Sequence, residues 1–236
     1  QGGDLEQSRA AFEEFRQTYP EYERMDLLEA NLAILNADYD KAAELAKQTL
    51  QKNENDTMAL LLLGRVQFYG AKYDEALETF RRLRRNVGPD NTAGQLEMAR
   101  TLWVLRRRDE ALTEVRSLLD KDSTPEARRL LINMLQSLKR WSELERYYTD
   151  LLETYNEDVR LRLQRANVII AQGDEAYQSG QERLSKDLYQ RGLSELAEAV
   201  RMSKQLQRNQ VEALSALLEA MLRFKDCLLY TSDAAD

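Results

Sequence analysis

The sequence predicts an all-α protein, built as a right-handed α-solenoid of stacked helix-turn-helix hairpins. Its 236 residues include only three prolines and nine glycines, while the strong helix formers Leu, Ala, Glu, Arg and Gln are abundant. Segments with one shared pattern of small and apolar residues recur along the chain every 33 to 35 residues. The prolines fall between these segments. A helical pattern repeated at this period indicates hairpins that stack on their neighbours.

The second helix of each hairpin is marked by one position that is mostly small. The segments that carry it are DLEQSRAAFEEF, DYDKAAELAKQTL, KYDEALETFRRL, RRDEALTEVRSLL and KRWSELERYYTDLL. Successive occurrences are separated by 34, 34, 35 and 33 residues, and the residues there are Ser8, Ala42, Ala76, Ala111 and Leu144. A constant spacing of this kind predicts one structural unit repeated in register.

Apolar segments with helical spacing lie between these second helices and after the last of them, and they predict the first helices of the hairpins. These segments are LLEANLAIL, LLLGRVQFYG, LEMARTLWVL, RLLINMLQSL and LQRANVIIAQG. Pro20, Pro89 and Pro125 all fall where a second helix should have ended. In STPE, Thr124 is predicted to cap a helix whose first turn contains Pro125.

The stretch ALLLLGRVQFYGAKYDEALETFRRLRR resembles a tetratricopeptide repeat. In that family Gly64 and Ala76 would let the two helices of a hairpin approach closely, with Tyr73 and Phe80 as large core residues. The resemblance extends over residues 4–172 with looser repeats. It implies a truncated second helix at 1–20, four repeats at 21–157, a longer hairpin at 158–206 and a truncated first helix at 207–226. Residues 227–236 depart from this pattern and are interpreted as a non-native tail.

The longer hairpin contains about 14 additional residues. Shared between two helices, they add close to two turns to each and leave the helix faces in phase. We expect helices over residues 158–178 and 181–203, with the turn at Ser179 and Gly180. The alternative is a polar loop that begins at Gly173.

The last ten residues, CLLYTSDAAD, lack the helical period of the preceding chain and contain the only cysteine. A reverse translation of them resembles adapter DNA used in preparing sequencing libraries, whereas the alternative is an unusual natural C-terminus. We therefore expect the chain to be a fragment of a longer repeat protein, with a helix that ends at Phe224.

Composition excludes several kinds of chemistry. The sequence has no histidine and a single cysteine, Cys227, which argues against zinc sites, disulfides and histidine-dependent nucleophiles, and no cofactor is predicted. A net charge of −7 argues against nucleic acid as a partner. The basic runs at 81–85 and 106–108 are interpreted as solvated helix ends. No apolar run is long enough to span a membrane, and nothing in the sequence indicates a compartment.

The resemblance also implies where a ligand would bind, because first helices line a concave groove in this family. One residue past the small position of each first helix would face that groove, and these residues are Asn31, Arg65, Arg100, Asn133 and Asn167. One turn further, Ile34, Phe68, Trp103 and Ile170 would border it. We expect Arg65 and Arg100, helped by Arg129, to select a carboxylate, and the asparagines to bind peptide backbone. The alternative is that these polar residues are merely solvated.

These features predict a non-enzymatic protein-interaction scaffold that binds an extended peptide, acidic or C-terminal, in its groove. One alternative is a structural spacer within a longer solenoid of a bacterial envelope or secretion assembly. Another is the targeting arm of an enzyme whose catalytic domain lies outside the fragment. We also expect self-association through an apolar stripe on the last helix, formed by Ala213, Leu217, Leu218 and Met221.

Overall fold

The structure is a computed structural model that describes residues 2–88, 91–207 and 209–232, with side chains described over 6–88, 91–207 and 209–223. These parts of the chain form helices joined by short turns and contain no strand. The predicted fold class, an all-α repeat of the solenoid type, is confirmed. The helices are α1 (Gly2–Thr18), α2 (Met25–Leu35), α3 (Tyr39–Lys52), α4 (Thr57–Tyr69), α5 (Tyr73–Val87), α6 (Gln95–Val104), α7 (Arg108–Lys121), α8 (Pro125–Ser137), α9 (Trp141–Thr154), α10 (Val159–Gln178), α11 (Glu182–Leu206) and α12 (Gln210–Ser232).

The chain divides into two compact units. Unit 1 comprises Gln1–Leu131 and unit 2 comprises Ile132–Asp236, so that the boundary lies within α8. In unit 1, α2 packs on α3, α4 on α5, and α6 on α7. In unit 2, α10 packs on α9 and α11, and α12 packs on α11.

Small residues allow the two helices of a hairpin to approach closely. Ala42, Ala76 and Ala111 are fully buried at the predicted small position of the second helices. On α4, a methyl group added to Gly64 would lie 2.7 Å from Cζ of the Phe80 ring. Because that distance is too short for two carbon atoms, α4 and α5 can pack this closely only when residue 64 has no side chain.

Aspartate and threonine side chains define where several helices begin. The carboxylate of Asp56 accepts a hydrogen bond from the Ala59 amide at 2.9 Å at the start of α4. Asp38 caps α3 in the same way, and Asp158 caps α10. Thr124 accepts a bond from the Ala127 amide, so the predicted cap before Pro125 is confirmed. Pro20 follows α1, while Pro89 lies outside the described residues.

The turn that closes each hairpin has a residue in the left-handed region. In the turn after α4, the Ala71 amide donates to Phe68 O at 3.1 Å and the Lys72 amide donates to Gln67 O at 2.8 Å. This pair of bonds is the Schellman motif that ends many helices. The left-handed residues of the turns of this kind are Ala37, Ala71, Arg106, Lys139 and Gly180, with φ of 58°, 59°, 63°, 52° and 74°. All but Gly180 carry a side chain that this conformation disfavours.

Replacing Gly180 with alanine is expected to lower the free energy of unfolding of unit 2 by about 1 kcal/mol. A methyl group there would meet no atom within 4 Å, so the loss would come from the backbone alone. Urea unfolding followed by circular dichroism would measure it. The matched control is Ala71→Gly, which relieves the same strain and should not destabilise unit 1. A Gly180→Ala variant as stable as the parent would contradict this account of the turns.

The elongated hairpin is helical on both sides of its turn. The first and last residues of α10 and of α11 each lie within three residues of the predicted bounds. The turn between the two helices is at Ser179 and Gly180. The polar-loop alternative is therefore wrong for residues 173–178. A buried Ser185 donates a hydrogen bond to Gly173 O at 3.0 Å and ties the two arms together beyond the ordinary repeat length.

The last helix differs from its prediction in two respects. It continues to Ser232 instead of ending at Phe224, and residues 233–236 lie outside the described residues. The origin of the last ten residues stays a prediction. Ala213 is fully buried and Leu217 packs against the unit 2 core that α10 and α11 form, so neither belongs to an exposed stripe. Leu218 and Met221 are exposed as predicted, together with Val211, Leu214 and Leu222. Self-association through this face stays a prediction.

Candidate functional site

Three consecutive first helices of unit 1 surround an open cavity of about 290 Å³. Its lining comes from α2, α4 and α6 and contains five of the residues that the sequence predicted for a groove. The lining residues are Asn31, Ile34, Leu35, Arg65, Phe68, Tyr69, Glu97 and Arg100.

The repeat register explains why these side chains converge. Ala30, Gly64 and Ala99 are buried where the hairpins pack. The next residue on each helix is turned by about 100° and leaves the core, so Arg65 and Arg100 face the same cavity. A residue one turn further returns to that face, which is why Phe68 and Ile34 line it as well.

The two cavity arginines differ in their partners. Arg65 donates to Oε1 of Glu97 through Nε at 3.0 Å and through Nη2 as well, which forms an ion pair between α4 and α6. Arg100 makes no hydrogen bond or ion pair with the described residues. Arg65, which was predicted to bind a ligand carboxylate, is therefore already paired with the carboxylate of Glu97. Arg100 is the cavity arginine whose charge no described residue compensates.

Asn31 also has an internal partner. Its Nδ2 donates to Leu27 O at 2.9 Å, one turn back on α2. One amide hydrogen is thereby used within the helix, while the Oδ1 acceptor and the other hydrogen remain for a ligand.

Aromatic rings form one wall of the cavity. The Phe68 ring meets Tyr69 and Tyr73 edge-on, at centroid distances of 5.7 and 5.5 Å. Tyr69 also stacks on Tyr39 at 6.1 Å. At the rim, Leu35 is 63% exposed and Tyr69 is 53% exposed. The wall therefore offers apolar surface that is already held in place before any ligand binds.

Two other predicted residues of unit 1 do not line this cavity. The Trp103 ring lies 3.9 Å from the guanidinium carbon of Arg108, which also donates to the Trp103 carbonyl. Arg129 is exposed on α8. The structure therefore does not bring either side chain to the cavity formed by α2, α4 and α6.

In unit 2 the predicted residues have different environments. Asn133 and Asn167 are exposed on α8 and α10. Ile170 is only 5% exposed and belongs to the unit 2 core, which corrects its predicted place on a groove wall. The reason is Gly192: its missing side chain leaves space that Ile170 occupies, since a methyl group there would lie 2.6 Å from Ile170 Cγ1.

Sequence reasoning missed three lining residues. Leu35 and Tyr69 each follow a predicted groove residue and form the rim. Glu97 lies one turn before Arg100, on the first helix of the repeat that follows Arg65. A search for an acidic residue one turn before a groove arginine would have found it.

The repeated hairpins and their shared cavity define a solenoid-type helical repeat protein, and no helix within the described residues is long and apolar enough to cross a membrane. Residues 27–91 match the tetratricopeptide repeat family model. This region covers most of α2 and all of α3 to α5, and it includes the Gly64–Phe80 contact. Over this region the chain is similar to tetratricopeptide repeats.

Solved structures show the same fold. A thermophilic tetratricopeptide-repeat protein of Thermus thermophilus is 19% identical, with a TM-score of 0.55 over 70% of this chain and 91% of its own. YrrB, a tetratricopeptide-repeat protein with an unusual peptide-binding site, is 17% identical, with a TM-score of 0.51 over 87% of this chain and 97% of its own. A tetratricopeptide-repeat protein from Parabacteroides merdae is 14% identical, with a TM-score of 0.50 over 93% of both chains. No curated protein matches this chain in sequence.

Proposed function

We propose that this protein is a non-enzymatic interaction scaffold that binds an extended peptide at the cavity formed by α2, α4 and α6. The observation that carries the proposal is the convergence of Asn31, Arg65 and Arg100 with Ile34 and Phe68 around one opening. Polar groups beside an apolar wall favour a peptide, since both backbone and side chains then find partners. The peptide-binding site of the fold neighbour YrrB supports the same ligand class.

The size of the cavity favours part of a peptide over a whole small molecule. Its volume of about 290 Å³ is at the small end of ligand pockets, which range from about 300 to 1,000 Å³. One or two side chains would fill it while the rest of an extended chain lies across the open rim of Leu35 and Tyr69. Arg100, which pairs with none of the described residues, supplies a partner for an acidic side chain or a C-terminal carboxylate.

Replacing Arg100 with glutamate is expected to weaken peptide binding at least 30-fold, about 2 kcal/mol, because a favourable charge pair becomes a repulsive one. Ligands would be selected with the immobilised full chain from a library of N-acetylated hexapeptides with free C-termini. Titration calorimetry of the selected peptides would then compare the parent and Arg100→Glu.

Arg85→Glu is the matched control, because it makes the same charge change in unit 1 at an exposed arginine outside this cavity. It should leave binding within about threefold of the parent, as expected for a distant surface charge. Equal losses of peptide affinity in both variants would show that the net charge of the protein, and not the position of Arg100, causes the effect. A parent protein that selects no peptide would contradict the proposal and favour the structural-spacer alternative.

A further inference from the structure

We infer that Glu97 is a specificity-determining residue, an internal carboxylate that occupies Arg65 and limits the site to one anionic group of a ligand. The inference rests on the proposed function, since it concerns the same cavity. It assigns the ligand class more narrowly: a peptide that presents a single carboxylate to Arg100, instead of two adjacent carboxylates or another doubly charged group.

The geometry of the Arg65–Glu97 pair carries the inference. Both bonds from Arg65 end on one oxygen, Oε1 of Glu97. The Glu97 side chain is 16% exposed and that of Arg65 is 42% exposed, so the carboxylate is the more deeply placed partner. Glu97 reaches across to α4, although Arg100 lies only one turn away on its own helix. The pair is therefore a defined contact between two consecutive repeats.

The charges in the cavity explain how Glu97 affects which ligands bind. Arg65 and Arg100 contribute two positive charges and Glu97 one negative charge, so the lining carries one net positive charge. A ligand carboxylate that approached the Nε and Nη2 edge of Arg65 would have to displace Glu97, and one at the remaining edge would meet a cation whose charge Glu97 already compensates. The displaced carboxylate would stay mostly buried without its partner, which is unfavourable. A second anionic group on a ligand therefore adds little binding free energy in the native protein.

Glu97→Gln tests this directly, because it keeps the shape of the side chain and removes the charge that occupies Arg65. The probes are acetate, with one carboxylate, and succinate, with two. Titrations of the ¹⁵N-labelled full chain would follow the side-chain Nε–H resonances of Arg65 and Arg100. In the parent we expect acetate to shift Arg100 alone, and succinate to bind within about threefold of acetate, since one carboxylate of each is bound.

In Glu97→Gln we expect both arginine resonances to shift and succinate to bind at least about tenfold more tightly than acetate, since a second charge-assisted pair forms. The matched control is Glu114→Gln. Glu114 accepts two bonds from Arg84, at 2.7 and 2.6 Å, in an ion pair of similar exposure outside this cavity. That variant should behave like the parent toward both probes.

Three results would overturn the inference: a shift of Arg65 in the parent, an unresponsive Arg65 in Glu97→Gln, or an equal gain for succinate in Glu114→Gln. Failure of the proposed function is distinguishable from these. It would be seen as an Arg100 resonance that does not shift with acetate and as a library from which no peptide is selected. The Arg65 resonance would still show whether Glu97 blocks that side chain. Peptides selected by Glu97→Gln should also contain more paired acidic residues than those selected by the parent.

Discussion

Replacing Phe80 with alanine is expected to lower the free energy of unfolding of unit 1 by about 3–5 kcal/mol. The Phe80 side chain is 1% exposed, and its ring occupies the space left by Gly64 between α4 and α5. Truncation would leave a cavity that two packed helices cannot fully close. Urea unfolding with a tryptophan and a circular-dichroism signal would measure the loss.

A double-mutant cycle with Gly64→Ala would test the mechanism. Alone, Gly64→Ala should destabilise unit 1, since its methyl group would clash with the Phe80 ring. With Phe80→Ala in place, the same change should become neutral or favourable by up to about 1 kcal/mol, because alanine is the better helix former. The control for truncation is Tyr19→Ala, at a ring that is 57% exposed. Additive effects of the two core substitutions would contradict the proposed contact.

Replacing Glu195 with glutamine is expected to destabilise unit 2 by about 2–3 kcal/mol, somewhat less than the loss of a fully buried ion pair. Glu195 on α11 forms ion pairs with Arg165 at 2.6 Å and with Arg162 at 3.3 Å, and all three side chains are 18–22% exposed. The Nε atoms of both arginines are buried without a hydrogen-bond partner in the structure. Glu195 is therefore the carboxylate that compensates two poorly solvated cations on α10.

Thermal and urea unfolding of Glu195→Gln would be compared with Glu110→Gln as a control. Glu110 forms a bidentate pair with Arg107, both bonds 2.6 Å, but the pair is exposed. The Arg107 hydrogen bond lowers the pKa of Glu110, yet an exposed pair of this kind should give no measurable loss when it is removed. A loss in Glu110→Gln as large as that in Glu195→Gln would show that burial is not the deciding factor.

The repeat register could be predicted because one geometric requirement recurs along the chain. Two helices can approach closely only over small residues, so Ala42, Ala76 and Ala111 mark the second helices, and their spacing identifies the first helices. The elongated hairpin followed from the same argument, since two added turns on each arm keep the buried faces in line. Convergence of Asn31 and Arg65 in one cavity is a further result of that register.

What could not be predicted depends on where long side chains end. Position alone places Arg65 beside the cavity, but it does not show that Glu97 of the next repeat holds its guanidinium. Ile170 has the same position in its repeat as Phe68, yet Gly192 opens a space that draws it into the core. On α12, helical periodicity identified an apolar helix, but packing against α10 and α11 decides that Ala213 is covered and Leu218 is not.

The left-handed turns are sites at which the thermal stability of this protein can be raised by one substitution at a time. Within the described part of the chain, four hairpins close on a residue other than glycine at positive φ. Glycine at each of these sites would remove a local cost, and in a repeat fold such gains add almost independently because each hairpin contacts only its neighbours. The sites are Ala37, Ala71, Arg106 and Lys139, and none of them is a lining residue of the cavity. An engineer could therefore combine the four substitutions without altering the cavity formed by α2, α4 and α6.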